Sequence, residues 1–266
     1  SIKSNNNGKI KRHLNAIVTT LYSGTLYMTA KSTLDDIRKK VEDQHRLSLE
    51  DGLFLYRNDT PLQAVGELAN IVRERISGNV AYYNINTHLN PTNICVYRCN
   101  FCAFRADLRE ERGYAMGDEE ILQRGQEATD NGCTEVHIVG GLHHQKDYEW
   151  YLNIVRLLND AYPQLHLKAW TSVEINWFEF LTKKNIRQIL EDMVEVGLGS
   201  MPGGGAEIFH PEIRDQICEH KADTGKWFET HRTAHQLGIN TNATMLYGHI
   251  ENEFHRIDHL IRLREQ

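Results

Sequence analysis

The chain has 266 residues, 30 Lys and Arg against 36 Asp and Glu, a formal net charge of -6, and five cysteines. That balance argues against a basic phosphate-tracking face, and so against nucleic acid as a partner. No apolar run approaches the roughly 18 residues of a membrane span. The polar opening "SIKSNNNGKIKRHL" lacks a signal-peptide core, and an odd cysteine count is no secreted disulfide framework. The expected setting is the cytoplasm, with no membrane partner.

Residues 1–30 stay unassigned; within them "AIVTTLY" and "TLYMT" read as short strands or packing segments. A helical extension is expected over 31–79, with two helices. In "SLEDGLFLYRN" Ser48 is a candidate N-cap and Leu49, Leu53 and Tyr56 share helical spacing. "PLQAVGELANIVRERI" opens at Pro61, repeats Leu62, Val65, Leu68, Ala69 and Val72, and stops before Gly78.

From about residue 80 strands and helices alternate. Strand "YYNINTHLN" precedes a helix at 118–131, with Asp118 as N-cap and Gly132 as stop. Strand "EVHIVGG", helix 147–161, strand "LHLKAWTSVEI" and helix 186–196 follow. Then come short strand "LGSMPG", helix 224–236, strand "NTNATMLYG" and a helix from about 252. Such alternation predicts βαβ units on a parallel sheet, an α/β fold of (β/α) barrel type. About five units fit within 80–266, where a closed barrel needs eight, so the barrel is expected to be incomplete, its C-terminal strands missing.

Ligands of parallel βα folds bind at the C-terminal ends of strands, and the unusual residues fall there. Cys95, Cys99 and Cys102 follow strand one, "GGLHH" strand two and "PGGGAE" strand four; "TSVEI" and "YGHIE" close strands three and five. Clustered thiols in a reducing compartment read first as metal ligands. Structural zinc usually takes four ligands, often in paired C-x₂-C motifs, and no second pair exists. A [4Fe-4S] cluster normally takes four thiolates, so three leave one iron open to a ligand.

The spacing C-x₃-C-x₂-C, with an aromatic before the last Cys, closely resembles the loop of the radical S-adenosylmethionine (SAM) enzymes. The resemblance implies a [4Fe-4S] cluster on Cys95, Cys99 and Cys102 that binds SAM. It implies that Phe101 packs near the adenine and that Gly140 and Gly141 approach SAM's amino group. Glu174, on strand three, is the candidate for a ribose hydroxyl. "TMLYGHIE" resembles the family's strand-five motif G-x-I-x-G-x-x-E, with Thr244 replacing the first Gly, then Gly248 and Glu251.

"YYNINTHLNPTNICVYRCNFCAFR", "VHIVGGLHH", "PGGGAEIF" and "HRTAHQLGINTNATMLYGHIE" resemble, within that family, the aminofutalosine synthases of menaquinone biosynthesis. Dehypoxanthine futalosine cyclases and the tyrosine-using synthases of a deazaflavin cofactor share much of the pattern. The implied reaction adds a 5′-deoxyadenosyl radical to the enol ether of 3-[(1-carboxyvinyl)oxy]benzoate, with loss of bicarbonate. Implied partners are that small-molecule substrate and an electron donor such as flavodoxin or ferredoxin. Candidate catalytic residues are Arg105, His143 and His249; candidate substrate contacts are Asn86, His88 and Asn242. His137 alternates with apolar residues and is expected to pack. His231 and His235 lie i, i+4 but lack the zincin glutamate. Cys133 and Cys218 are expected as buried small hydrophobes, while Trp170 and Trp177 are expected either in the core or lining the pocket. The rival readings are a non-catalytic or partner-dependent product and a zinc-binding structural protein.

Overall fold

The computed structural model describes residues 32–219 and 221–266. The strands expected in "AIVTTLY" and "TLYMT" lie outside the described residues. The chain divides into two compact units, Ser1–Val72 and Arg73–Gln266.

In the first unit, α1 spans Leu34–Glu42, α2 Leu49–Leu55, and α3 begins at Leu62 and runs to Ser77. Thr33 with Asp36 and Ser48 with Asp51 form capping boxes that satisfy the first amides of α1 and α2. Buried Asp51 also holds Lys40 Nζ at 2.7 Å. Ile37, Val41 and Leu68 form the core of this unit, with Leu34, Phe54 and Leu55 packed around them. The sequence reading missed α1, because its three apolar positions are set among charges.

In the second unit, β1 (Asn86–Leu89), β2 (Glu135–Ile138), β3 (His166–Ala169), β4 (Ser200–Met201) and β5 (Asn240–Thr241) form a parallel sheet in sequence order. The helices between them are α4 (Asp118–Asp130), α5 (Tyr148–Ala161), α6 (Ser172–Thr182), α7 (Ile186–Glu195), α8 (Pro211–Cys218) and α9 (Thr224–Gln236); α10 (Glu253–Glu265) follows β5. Register aligns Leu89 with Ile138 and Ala169. That face, with Val136, Leu167 and Met201, packs into the main core with Ile121, Tyr151, Leu158, Trp170 and Phe178. No helix among the described residues is long and apolar enough to cross a membrane.

Three expectations need correction. Strand three ends at Ala169, and "TSVEI" opens helix α6, because Thr171 and Glu174 form a capping box that outweighs the β-branched run. Helix α8 was not foreseen, although Pro211 occupies its first turn, a position that suits proline. Asp118 lies inside α4 rather than capping it; Gly117 is the N-cap and makes no side-chain bond.

Candidate active site

The C-terminal ends of the strands open onto a cavity of about 600 Å3 lined by Cys95, Cys99 and Cys102. Backbone bonds fix the cysteine loop. Cys95 N–H donates to Ala106 O at 3.3 Å and Val96 N–H to Leu142 O at 3.1 Å. At its far end Asn100 donates from its backbone N–H to Ile217 O at 3.0 Å and from its side chain to Gln216 O at 2.7 Å. Gly141 is required here, since a Cβ would sit 2.2 Å from Ile94 O.

All three thiols are free. Burial pushes Cys99 up to about 11, opposed by Lys221, and raises Cys95 as well. Such thiols stay protonated at neutral pH unless a metal displaces the proton. Among the described residues, His210, Glu212 and His255 are the set of three possible ligands with donor atoms within 4.8 Å of one another. They lie outside the cavity lining, and His255 Nδ1 already accepts the Asn252 N–H at 3.1 Å. The three cysteines form no set that tight.

The cavity brings together ten residues singled out from the sequence: the three cysteines with Phe101 and Arg105, then His88, Gly140, Gly141, Glu174 and Asn242. Several have partners of their own. Arg105 Nε donates to Cys95 O at 3.2 Å and its guanidinium pairs with Asp107. Gly141 N–H is taken by Thr92 O at 2.8 Å. Glu174 accepts from Gly140 N–H at 3.2 Å and from Thr171 N–H at 3.1 Å, while burial raises its pKa.

Asn86, His143, Gly248, His249 and Glu251 do not line the cavity. Asn86 reaches Glu135 at 3.4 Å, and His143 is buried with Nδ1 accepting from Gln145 N–H at 3.1 Å. Glu251 accepts from Gly248 N–H at 2.6 Å, His249 N–H at 2.9 Å and Arg256 Nε at 2.7 Å. Those bonds outweigh desolvation and hold it near 2. It pins the loop after β5, where Gly248 has φ +91°.

The expectation that His137 packs in the core is corrected. It is half-buried, lines the cavity and stacks on His88 at 4.8 Å. The alternation that sends Val136 and Ile138 into the core sends His137 to the other face. Lys168 stands beside it in register and ion-pairs with Glu135 at 2.8 Å. Thr244 of the strand-five motif and Glu207 of "PGGGAE" line the cavity too, as do Lys168 and Lys221, which were missed; strand alternation was the available signal for Lys168. Elsewhere, His231 stacks on Trp227 at 3.6 Å, and its ring centroid lies 6.5 Å from that of His235. Cys218 and Trp170 are buried, and Cys133 packs against the main core.

A family model described as the Radical SAM superfamily matches residues 89–263, and the chain belongs to that superfamily. Aminodeoxyfutalosine synthase of Thermus thermophilus is 43% identical over 228 residues, 86% of this chain and 61% of that protein. The Streptomyces coelicolor protein of the same name is 41% identical over 230 residues, covering 86% and 59%. A 5-amino-6-(D-ribitylamino)uracil–L-tyrosine 4-hydroxyphenyl transferase of Methanopyrus kandleri is 39% identical over 196 residues, covering 74% and 53%. The chain thus spans about three-fifths of the length of the two synthases. Among solved structures, methylornithine synthase superposes with a TM-score of 0.67 at 18% identity, over 88% of this chain and 64% of that one. The FeFe-hydrogenase maturase HydG of Carboxydothermus hydrogenoformans gives 0.63 at 18%, over 99% and 60%. These likenesses establish the fold: the parallel sheet is part of a radical SAM (β/α) barrel.

Proposed function

We propose that this chain is the radical SAM part of an aminodeoxyfutalosine synthase, acting on 3-[(1-carboxyvinyl)oxy]benzoate. The observation that carries the reading is the convergence of three free thiols with Lys168, His88 and His137 on one cavity, in a chain so similar to two synthases of that name. Cys95, Cys99 and Cys102 would hold the [4Fe-4S] cluster, with SAM bound beside it. Bound there, the pair supplies a 5′-deoxyadenosyl radical by one-electron cleavage, the electron coming from a flavodoxin or ferredoxin class donor.

The chain's own residues do the rest. Phe101 offers an aromatic face beside Cys102, and the carboxyl of Glu174 is held at the cavity wall for a polar cofactor group. The substrate carries two carboxylates, and Lys168 and Arg105 are two of the lining cations that can meet them, with His88, His137 and Asn242 as further polar contacts. The apolar part of the lining keeps water from a reactive radical.

The similarity to tyrosine 4-hydroxyphenyl transferases favours a second reading in which tyrosine is the aromatic substrate. Anaerobically reconstituted protein, given SAM, reductant and each candidate in turn, separates the readings. Aminofutalosine and methionine without free 5′-deoxyadenosine support the first. Turnover only with tyrosine and the diaminouracil, or only with dehypoxanthine futalosine, overturns it. Stoichiometric zinc with no iron makes the protein structural.

A further inference from the structure

Helix α8 holds three parts of the cavity wall at once. Its last turn accepts the Asn100 bonds that fix the cysteine loop. Buried Arg214 donates to Gly205 O at 3.0 Å and Ala206 O at 2.7 Å, and from its other nitrogen to Ala222 O at 2.5 Å. Cys218 O accepts the Lys221 N–H at 2.9 Å. These bonds clamp the loop after β4 to the segment after α8, so that Lys221 Nζ meets Glu207 Oε1 at 2.5 Å with side chains only 13% and 11% exposed.

Glu207 has φ +44°, a left-handed conformation that strains a residue with a Cβ. The Leu246 N–H holds its carbonyl at 2.9 Å. Such strain persists only where surroundings enforce it, and it concentrates at functional sites. Lys221 also stands 5.3 Å from the Phe101 ring centroid and shares two cavity linings with Cys99. Stability alone gives little reason to keep the pair, since a buried ion pair is often no better than well-packed apolar groups. Its position gives one. Reduction of a cluster adds a negative charge, and a fixed cation in a low-dielectric wall favours that state while a carboxylate opposes it.

We propose that the Lys221–Glu207 pair sets the reduction potential of an iron–sulfur cluster held by Cys95, Cys99 and Cys102, Lys221 raising it and Glu207 moderating the rise. The inference rests on the cluster reading of the cysteines and is independent of the substrate. The electron comes from an external low-potential one-electron donor and stays on the cluster.

The test is a potentiometric titration followed by EPR, on reconstituted wild type, Lys221→Met, Lys221→Arg and Glu207→Gln, with iron content measured for each. Lys221→Met should make reduction about tenfold less favourable, a shift of roughly 59 mV to more negative potential for a one-electron couple. Glu207→Gln should shift the potential the opposite way, and Lys221→Arg should restore it. A merely structural clamp would move both neutralising variants in one direction or neither, and either result overturns the tuning role. Should Lys221→Met fail to retain iron, the Glu207→Gln and Lys221→Arg potentials still decide. Wild type without iron would instead overturn the cluster reading beneath the proposal.

Discussion

His88 and His137 stack across the β1–β2 pairing with ring planes 22° apart, on the sheet face that lines the cavity. Burial, then the neighbouring His88, lowers the His137 pKa. Burial does the same to His231, down to about 3, and to His259, down to about 4. The unfolded chain therefore takes up protons first as pH falls below about 6.5. Stability should be full above that pH and decline through the window from about 6.5 to about 3. Urea melts at pH 7, 6 and 5 should show falling midpoints at constant slope. His231→Leu, which removes a buried Nε2 with no partner, should flatten the decline. Midpoints that hold steady across the window contradict this account.

Thr171 and Glu174 cap α6 from both sides. Thr171→Val removes the side-chain bond to Val173 N–H at 3.1 Å and leaves the Glu174 carboxyl with fewer partners. Loss of such a cap costs about 1–2 kcal/mol. Glu174→Gln should cost less, because burial already favours the neutral carboxyl. Chemical denaturation of the two variants checks the order; a larger loss in Glu174→Gln would show that the charge, not the cap, matters there.

The sequence carried the alternation of elements and the cysteine loop because both are local. Capping residues, helical periodicity and thiol spacing all act within a few positions of the residues they affect. It misled where two local signals competed. "LKAWTSVEI" is rich in strand formers, yet the Thr171–Glu174 box ended the strand. It fell silent where function depends on distant partners. Lys221 meets Glu207 only because Arg214 on the unforeseen α8 ties their two loops together. His137 reads from the sequence as a packed histidine, and only the pairing register puts it in one row with Lys168 along the cavity.

Gly141 makes close passage of the β1 and β2 loops possible. In Gly141→Ala the new Cβ would overlap Ile94 O, a backbone atom that cannot move without shifting the cysteine loop. Overpacking of this kind costs about 1–3 kcal/mol. The variant should fold with a lower melting temperature and retain less iron on reconstitution. Gly238→Ala is the control: nothing lies near its Cβ, though its φ of +76° adds modest strain. Equal iron retention in the two variants would remove Gly141 from the architecture of the loop.

Lys168 and Glu135 separate a stabilising role from a binding role. Their ion pair is 15% and 8% exposed, and Lys168 Nζ lies at 2.8 Å from the carboxylate on the cavity side of the sheet. Removing Lys168 alone leaves a buried carboxylate unpaired, a loss of about 3–5 kcal/mol. Lys168→Met should therefore melt early, and adding Glu135→Gln should restore most of the stability. If Lys168 also meets a substrate carboxylate, the double variant should still show KM raised about 10- to 100-fold, the equivalent of one charged hydrogen bond, with kcat changed much less. Recovery of both stability and KM would confine Lys168 to the sheet and pass carboxylate recognition to Arg105.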